Sequence, residues 1–249
     1  MKMQFLGTGA ADFDWTHYGE PGTLGSTVTL INDSILLDCG PTAAAAMERF
    51  SVNCDQIRAV VNTHSHSDHF QIDQLRKISG GRRIPFYGSA ETCEKVADFC
   101  EVHPLEYGDE FEIDGVVFQA LPSNHSVGDL HEKTYNYLIS GDRVLLYALD
   151  TSWLTAHAWT MLGTRHIDAV VWDATMSQPG DWRVFTHSDP EMFTIIRQTL
   201  ERRGNFDSSL KVWFDHRAKT LWPESVAEQE AVAARYDAML AHDGETVFI

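Results

Sequence analysis

The segment His64-Ser65-His66-Ser67-Asp68-His69 places four potential metal ligands within six residues, just after the apolar run Ala59-Val60-Val61. At this chain's own His and Asp frequencies, such an H-x-H-x-D-H hexad arises by chance on the order of 10⁻³ times per chain. Neutral imidazoles combined with a carboxylate suit Zn²⁺, Fe or Mn²⁺. Alternate residues of a strand share a face, so a strand running into the hexad would present His64 and His66 to one side. A helix from Asp68 to about Ser79 would then aim Asp68 and His69 at a second position. The plain alternative is an exposed polar turn, which leaves three histidines beside an apolar strand end without a reason.

Four other segments end an apolar strand on a residue able to bind metal. Val116 to Pro122 leads to His125, Arg143 to Leu149 ends at Asp150, Lys211 to Phe214 runs through Asp215 to His216, and Ile35-Leu36-Leu37 ends at Asp38. Taken alone, a His after a strand is more often a satisfied loop residue than a ligand. Their order and spacing around the hexad change that balance.

In this order the motifs resemble the metallo-β-lactamase superfamily: Asp38, then the hexad, then His125, Asp150 and His216. The resemblance runs from Met1 to about His242. It implies a site of His64, His66 and His125, a second site of Asp68, His69 and His216, and Asp150 bridging two divalent ions of Zn, Mn or Fe. Asp38 would orient a ligand imidazole through its free N–H. Asp68, Asp150 and His187 would form the catalytic group. The implied fold class is α/β, an αββα four-layer sandwich with two mixed β-sheets.

Asp at position 150 points away from the β-lactamases that place Cys in the metal site. Three stretches are similar to the phosphoribosyl cyclic phosphodiesterase group and the ribonuclease Z-like branch: Phe5-Leu6-Gly7-Thr8-Gly9-Ala10-Ala11, the run from Asp68 to Arg76, and Thr186-His187-Ser188 before a helix. Ile72 stands where that group usually has glycine. The Cys-x-Cys-x-x-Cys zinc knuckle common in that group is missing from Asp12 to Gly25, where Asp14, Trp15, His17 and Tyr18 appear instead. Trp172-Asp173-Ala174-Thr175 replaces the His-Glu-Ala-Thr of ribonuclease Z and keeps the acidic residue in type only.

The chemistry this implies is hydrolysis of a small, possibly cyclic, phosphodiester. A hydroxide held between two cations would attack phosphorus, and His187 would protonate the leaving alkoxide. A lactonase or thioester hydrolase would use the same centre on a carbonyl carbon. A non-catalytic metal-binding member is a third reading, which a full ligand set with an open bridging position argues against. His17, Arg183, Arg217 and Lys219 are candidate substrate contacts. Arg suits bidentate phosphate binding, and residues 178–183 form a polar, turn-rich loop leading to His187.

Thirty-six acidic residues against nineteen Lys and Arg give a formal net charge of −17. Long nucleic acids gain most of their affinity from Lys and Arg, so a polyanionic substrate is disfavoured. A small anion remains feasible because bound cations supply local positive potential. No run of 18 apolar residues occurs, and Met1 to Gln4 leads straight into a strand, so neither a transmembrane helix nor a secretory signal is expected. Cys39, Cys54, Cys93 and Cys100 lack C-x-x-C spacing and read as reduced thiols of a cytoplasmic protein. A homodimer is compatible with the sequence.

The elements that must position these residues alternate in a βαβ-like pattern without low-complexity linkers, consistent with one hydrolase domain over residues 1–249. Strands are expected near 3–6, 26–31, 34–38, 58–62, 84–87, 110–113, 116–120, 135–140, 143–148, 168–172, 210–214 and 245–248. Helices are expected near 42–50, 68–79, 90–100, 155–162, 189–203 and 224–241. Asp189-Pro190-Glu191 has a cap, a first-turn Pro and an acidic residue. Trp153, Trp159, Trp172, Trp213 and Trp222 are expected in core or rim packing.

Overall fold

In the computed structural model, which describes residues 1–249, the chain divides into two compact units. The first strands are β1 (Lys2–Gly7), β2 (Val28–Ile31), β3 (Ile35–Leu37), β4 (Ala59–Val61), β5 (Pro85–Gly88) and β6 (Glu101–Pro104). The next are β7 (Glu110–Ile113), β8 (Val116–Pro122), β9 (Tyr135–Ser140), β10 (Val144–Ala148), β11 (Ala169–Asp173), β12 (Lys211–Asp215) and β13 (Met239–Leu240). The last, β14 (Thr246–Phe248), returns to the first unit.

Each unit is built on one mixed seven-stranded sheet. The orders are β14-β1-β2-β3-β4-β5-β6 and β13-β12-β11-β10-β9-β8-β7. In the first, β14 through β3 pair antiparallel and β3 through β6 pair parallel. In the second, β7 through β10 pair antiparallel and β10 through β13 pair parallel. β3 and β10 therefore hold equivalent places, each at the switch from antiparallel to parallel pairing.

Parallel neighbours need a crossover, and helices supply it. In the first unit these are α1 (Ala43–Arg49), α2 (Ile72–Ser79) and α3 (Ala90–Val96); in the second, α4 (Ala156–Leu162), α5 (Pro190–Arg203) and α6 (Val226–Ala234). Leu36, Val60 and Phe86 of the first sheet bury against Ala46, Met47, Leu75 and Val96. In the second, Leu146, Val170, Trp172 and Phe214 bury against Leu162, Phe193 and Leu200. α5 starts where the sequence places it: Asp189 Oδ1 accepts from the backbone N–H of Glu191 and Met192 at 2.8 and 2.9 Å. It stops at Gly204, whose φ of 86° an L side chain rarely adopts.

Three expectations need correction. The helix after the hexad begins at Ile72, not Asp68, because Cys39 and Phe70 form a parallel bridge that keeps the preceding backbone extended. The last helix ends at Ala234, and β13 pairs with β12 in place of its predicted final turns. β6 escaped notice because Glu101-Val102-His103-Pro104 lacks an apolar run, is exposed at both ends and lies at the sheet edge. Trp172, Trp213 and Trp222 are buried as expected, but Trp153 and Trp159 are 39 % and 44 % exposed.

Candidate metal centre

In the first unit the candidate ligand residues are organised by Asp38. It follows β3 with a positive φ of 63° and is fully buried. Its Oδ1 accepts from Thr63 N at 2.7 Å and Asn62 Nδ2 at 2.9 Å, and its Oδ2 accepts from Thr63 Oγ1 and His69 Nδ1, both at 2.8 Å. A carboxylate there can only accept, so His69 carries its proton on Nδ1 and keeps Nε2 for another partner, 3.4 Å from Asp68 Oδ2. The Thr63 hydroxyl proton is committed to Asp38. Its oxygen therefore accepts from His64 Nδ1 at 2.9 Å, which again leaves Nε2. That Nε2 lies 3.0 Å from His66 Nδ1.

The hexad is a turn rather than a strand running into a helix. β4 ends at Val61, and the carbonyl of His66 accepts from both His69 N and Phe70 N. Cys39 N donates to the His69 carbonyl and Gln71 N to the Cys39 carbonyl, each at 2.8 Å. This lacing requires glycine at position 40, where a Cβ would run into the backbone carbonyl of Asp68. His64 and His66 still converge as the spacing implies, by a turn and not by strand alternation.

In the second unit β8 leads to His125, β10 to Asp150 and β12 to His216. Asp150 and His216 also adopt positive φ, 49° and 59°. Left-handed backbone is uncommon for such residues, and its recurrence at three strand ends marks places where the chain turns a side chain sharply out of the sheet. Asn136 Nδ2 donates to the Leu149 carbonyl at 2.7 Å and fixes the residue before that turn. His125 Nδ1 donates to the Thr186 carbonyl at 3.0 Å, and His216 Nδ1 meets Thr175 Oγ1 at 2.8 Å. Their Nε2 atoms face the two oxygens of Asp150 separately: His125 lies 3.6 Å from Oδ1 and His216 3.4 Å from Oδ2.

Beside them, His187 stacks on His216 with ring centroids 5.3 Å apart. Its Nδ1 lies 2.8 Å from Asp173 Oδ2, 3.0 Å from Thr175 Oγ1 and 3.8 Å from Asp150 Oδ1. Asp173, fully buried, also accepts from the backbone N–H of Thr151, Thr175 and Ser188. Burial pushes its carboxyl up, but the charge and hydrogen bond of His187, with the charge of His216, outweigh that and hold it below its ordinary value. The ligand atoms of Asp150, Asp173, His187 and His216 lie within 4.8 Å of one another.

The remaining candidates are paired with nearby acids, exposed or buried. His17 is exposed and pairs with Asp14 and Glu20 at 3.7 and 3.2 Å. Arg183 pairs with Asp181 at 3.0 Å and lies over Trp182. Lys219 is exposed, and Arg217 is buried at 1 % exposure. Thr63, Asn62 and the Thr186 carbonyl carry no cue in the sequence, since none is a ligand type. Thr175 had a signal, because it closes the Asp173-Ala174-Thr175 run.

The beta-lactamase superfamily domain family matches residues 33–205 of this chain. A ribonuclease Z from Methanopyrus kandleri is 34% identical over 139 residues, which is 51% of this chain and 47% of that protein, so the match spans about half of the relative. The anti-Pycsar protein Apyc1 of Saccharibacillus brassicae is 24% identical over 202 residues, 72% of this chain and 79% of the relative. Among solved structures, a diphosphatase from the PhnP family superposes with a TM-score of 0.71 at 21% identity, covering 100% of this chain and 97% of that one. That likeness is one of fold: α/β, with two mixed sheets and helices.

Proposed function

The chain belongs to the beta-lactamase superfamily, and from that premise we propose that it is a metal-dependent hydrolase acting on a small, anionic phosphodiester. The two ligand groups act as one domain in this reading. His64, His66 and His125 would hold one divalent ion, Asp68, His69 and His216 a second, and Asp150 would be shared by both. Zn, Mn and Fe all suit this donor set. No helix is long and apolar enough to cross a membrane, and the net charge of −17 favours a small anion over a polyanion.

One observation carries the metal reading. Four imidazoles, His64, His69, His125 and His216, each have Nδ1 engaged by a protein oxygen, which turns Nε2 toward another candidate ligand: His66, Asp68 and, twice, Asp150. That is how a metal-binding histidine is oriented, with its second nitrogen on a carboxylate, hydroxyl or carbonyl. The split of Asp150 between His125 and His216 suits a carboxylate that gives one oxygen to each of two ions.

When bound, two divalent ions acidify water and offset the charge that builds on phosphorus oxygens. The protein's own groups do the rest. Asp173, a buried carboxylate held below its ordinary value, accepts from His187 Nδ1. Nε2 can then pass a proton to the leaving alkoxide. Thr175 and Asp173 together fix the plane of that ring beside His216.

The test is a panel on metal-loaded protein: bis(p-nitrophenyl) phosphate, a five-membered cyclic phosphate, a lactone and a thioester. Metal-dependent turnover of the phosphodiesters alone is expected. Turnover of only the lactone or thioester would move the reaction to carbonyl carbon, and no turnover of any would remove the hydrolase reading.

A further inference from the structure

In the second unit, α4, α5 and the segment before α4 enclose an open cleft of about 510 Å³, inside the range of roughly 300–1,000 Å³ usual for small-molecule sites. None of its lining residues belongs to the ligand groups described above. Its walls are apolar: Trp153, Trp159, Ile195 and Leu200 among them, with Thr199 the one hydroxyl side chain. That hydroxyl is already used on the Ile195 carbonyl at 2.9 Å. Trp153, Trp159 and Ile195 are 39 %, 44 % and 56 % exposed, an unusual concentration of large apolar side chains in contact with water.

Against the Trp159 wall of the cleft stands a cation. Arg203 lies four residues beyond Thr199 and so continues the same face of α5. Its guanidinium carbon sits 4.1 Å from the centroid of the Trp159 ring, and Nη1 donates to the Trp159 carbonyl at 2.9 Å. Arg197, one and a half turns earlier, is consumed by Glu201 and Asp237, each at 2.9 Å. Arg203 has no such carboxylate, although acids outnumber bases in this chain by 36 to 19. A planar cation is thus braced against one wall of an apolar cleft with donors to spare.

We propose that this cleft binds a small amphiphilic anion, an acyl or aryl carboxylate. Its apolar body lies along Ile195 and Trp159, and its carboxylate pairs with Arg203. Guanidinium suits a carboxylate through paired N–H donors. Eight residues of helix separate Ile195 from Arg203, about 12 Å at 1.5 Å per residue, a length that accommodates a medium acyl chain. Positive charge at the mouth favours the anion over a neutral or cationic amphiphile.

Calorimetric titration of the full chain with decanoate tests this, with decyltrimethylammonium as the opposite-charge control and light scattering run in parallel. One saturable decanoate site per chain is expected, with the cation binding at least ten-fold more weakly. Arg203→Gln should weaken decanoate about ten-fold, as for a lost charge-assisted contact, and erase the preference for the anion. Ile195→Glu, at a half-exposed position, should weaken both ligands. Decanoate binding untouched by Ile195→Glu would place the ligand elsewhere and overturn the proposal, as would the absence of saturable binding. A wild-type dimer that Ile195→Glu dissociates would assign the cleft to a second copy of the chain and equally overturn it.

Discussion

Asp150 turns one carboxylate oxygen toward His125 and the other toward His216, which is why we assign it the bridging role. Asp150→Ala should lower bound metal, measured by mass spectrometry, by at least one ion, and reduce phosphodiester hydrolysis by orders of magnitude. Asp38→Ala removes an acceptor behind His69 instead of a ligand, and such losses cost about 10–100-fold in affinity or activity. Wild-type activity in Asp150→Ala would rule out the bridging role. His187 calls for a different comparison, because a general acid matters most when the leaving group is poor. His187→Ala should slow an alkyl phosphodiester by roughly 10²–10⁴-fold and barely affect a p-nitrophenyl ester, with metal content intact. Equal slowing of both substrates would make it a phosphate contact or a loop support. At this scale the ligand types were legible because His and Asp in a tight hexad have few structural uses. Thr63 and Thr175 were not, since a hydroxyl finds its imidazole only through the folded turn.

Among the elements, β3 and β10 occupy matching positions in their sheets, and each ends in an Asp with positive φ. The strand that switches pairing is the one whose C-terminal end delivers an acid, to orient a ligand in the first unit and to meet two histidines in the second. Ligand sites in open α/β sheets gather at such strand ends. Most strands were legible as short apolar runs. The start of α2 was misplaced because periodicity carries no trace of the Cys39–Phe70 bridge, a contact thirty-one residues apart in sequence. That bridge depends on Gly40, whose Cα approaches the Asp68 carbonyl too closely for a side chain. Gly40→Ala must therefore push Asp68 away. It should lower both the melting temperature and the metal content, although residue 40 is not itself a ligand. Unchanged metal stoichiometry and melting temperature in Gly40→Ala would show that the hexad does not rely on this close approach.

For the molecule as a whole, the sequence's cysteines behave as reduced thiols: all four are free, with Cys39, Cys93 and Cys100 buried and Cys54 partly exposed. Burial pushes Cys93 and Cys100 up to about 11, so neither forms thiolate near neutrality. Titration of native protein with a thiol reagent at pH 8 should find one accessible group, Cys54, and four after denaturation. Two or more fast thiols would mean that the first core opens more readily than its packing implies. The net charge of −17 was legible from composition, and the preference for a small anion proposed here rests on it. The proposed division of ligands between two ions came only from the family resemblance, because strand ends far apart in sequence carry no local sign of meeting. Anomalous diffraction from metal-loaded crystals tests that central claim most directly. The account predicts two ions per chain, roughly 3.5–4 Å apart, with His64, His66 and His125 on one, Asp68, His69 and His216 on the other, and Asp150 between them. A single ion held by the hexad alone, or ions that leave His125 and His216 unligated, would contradict it.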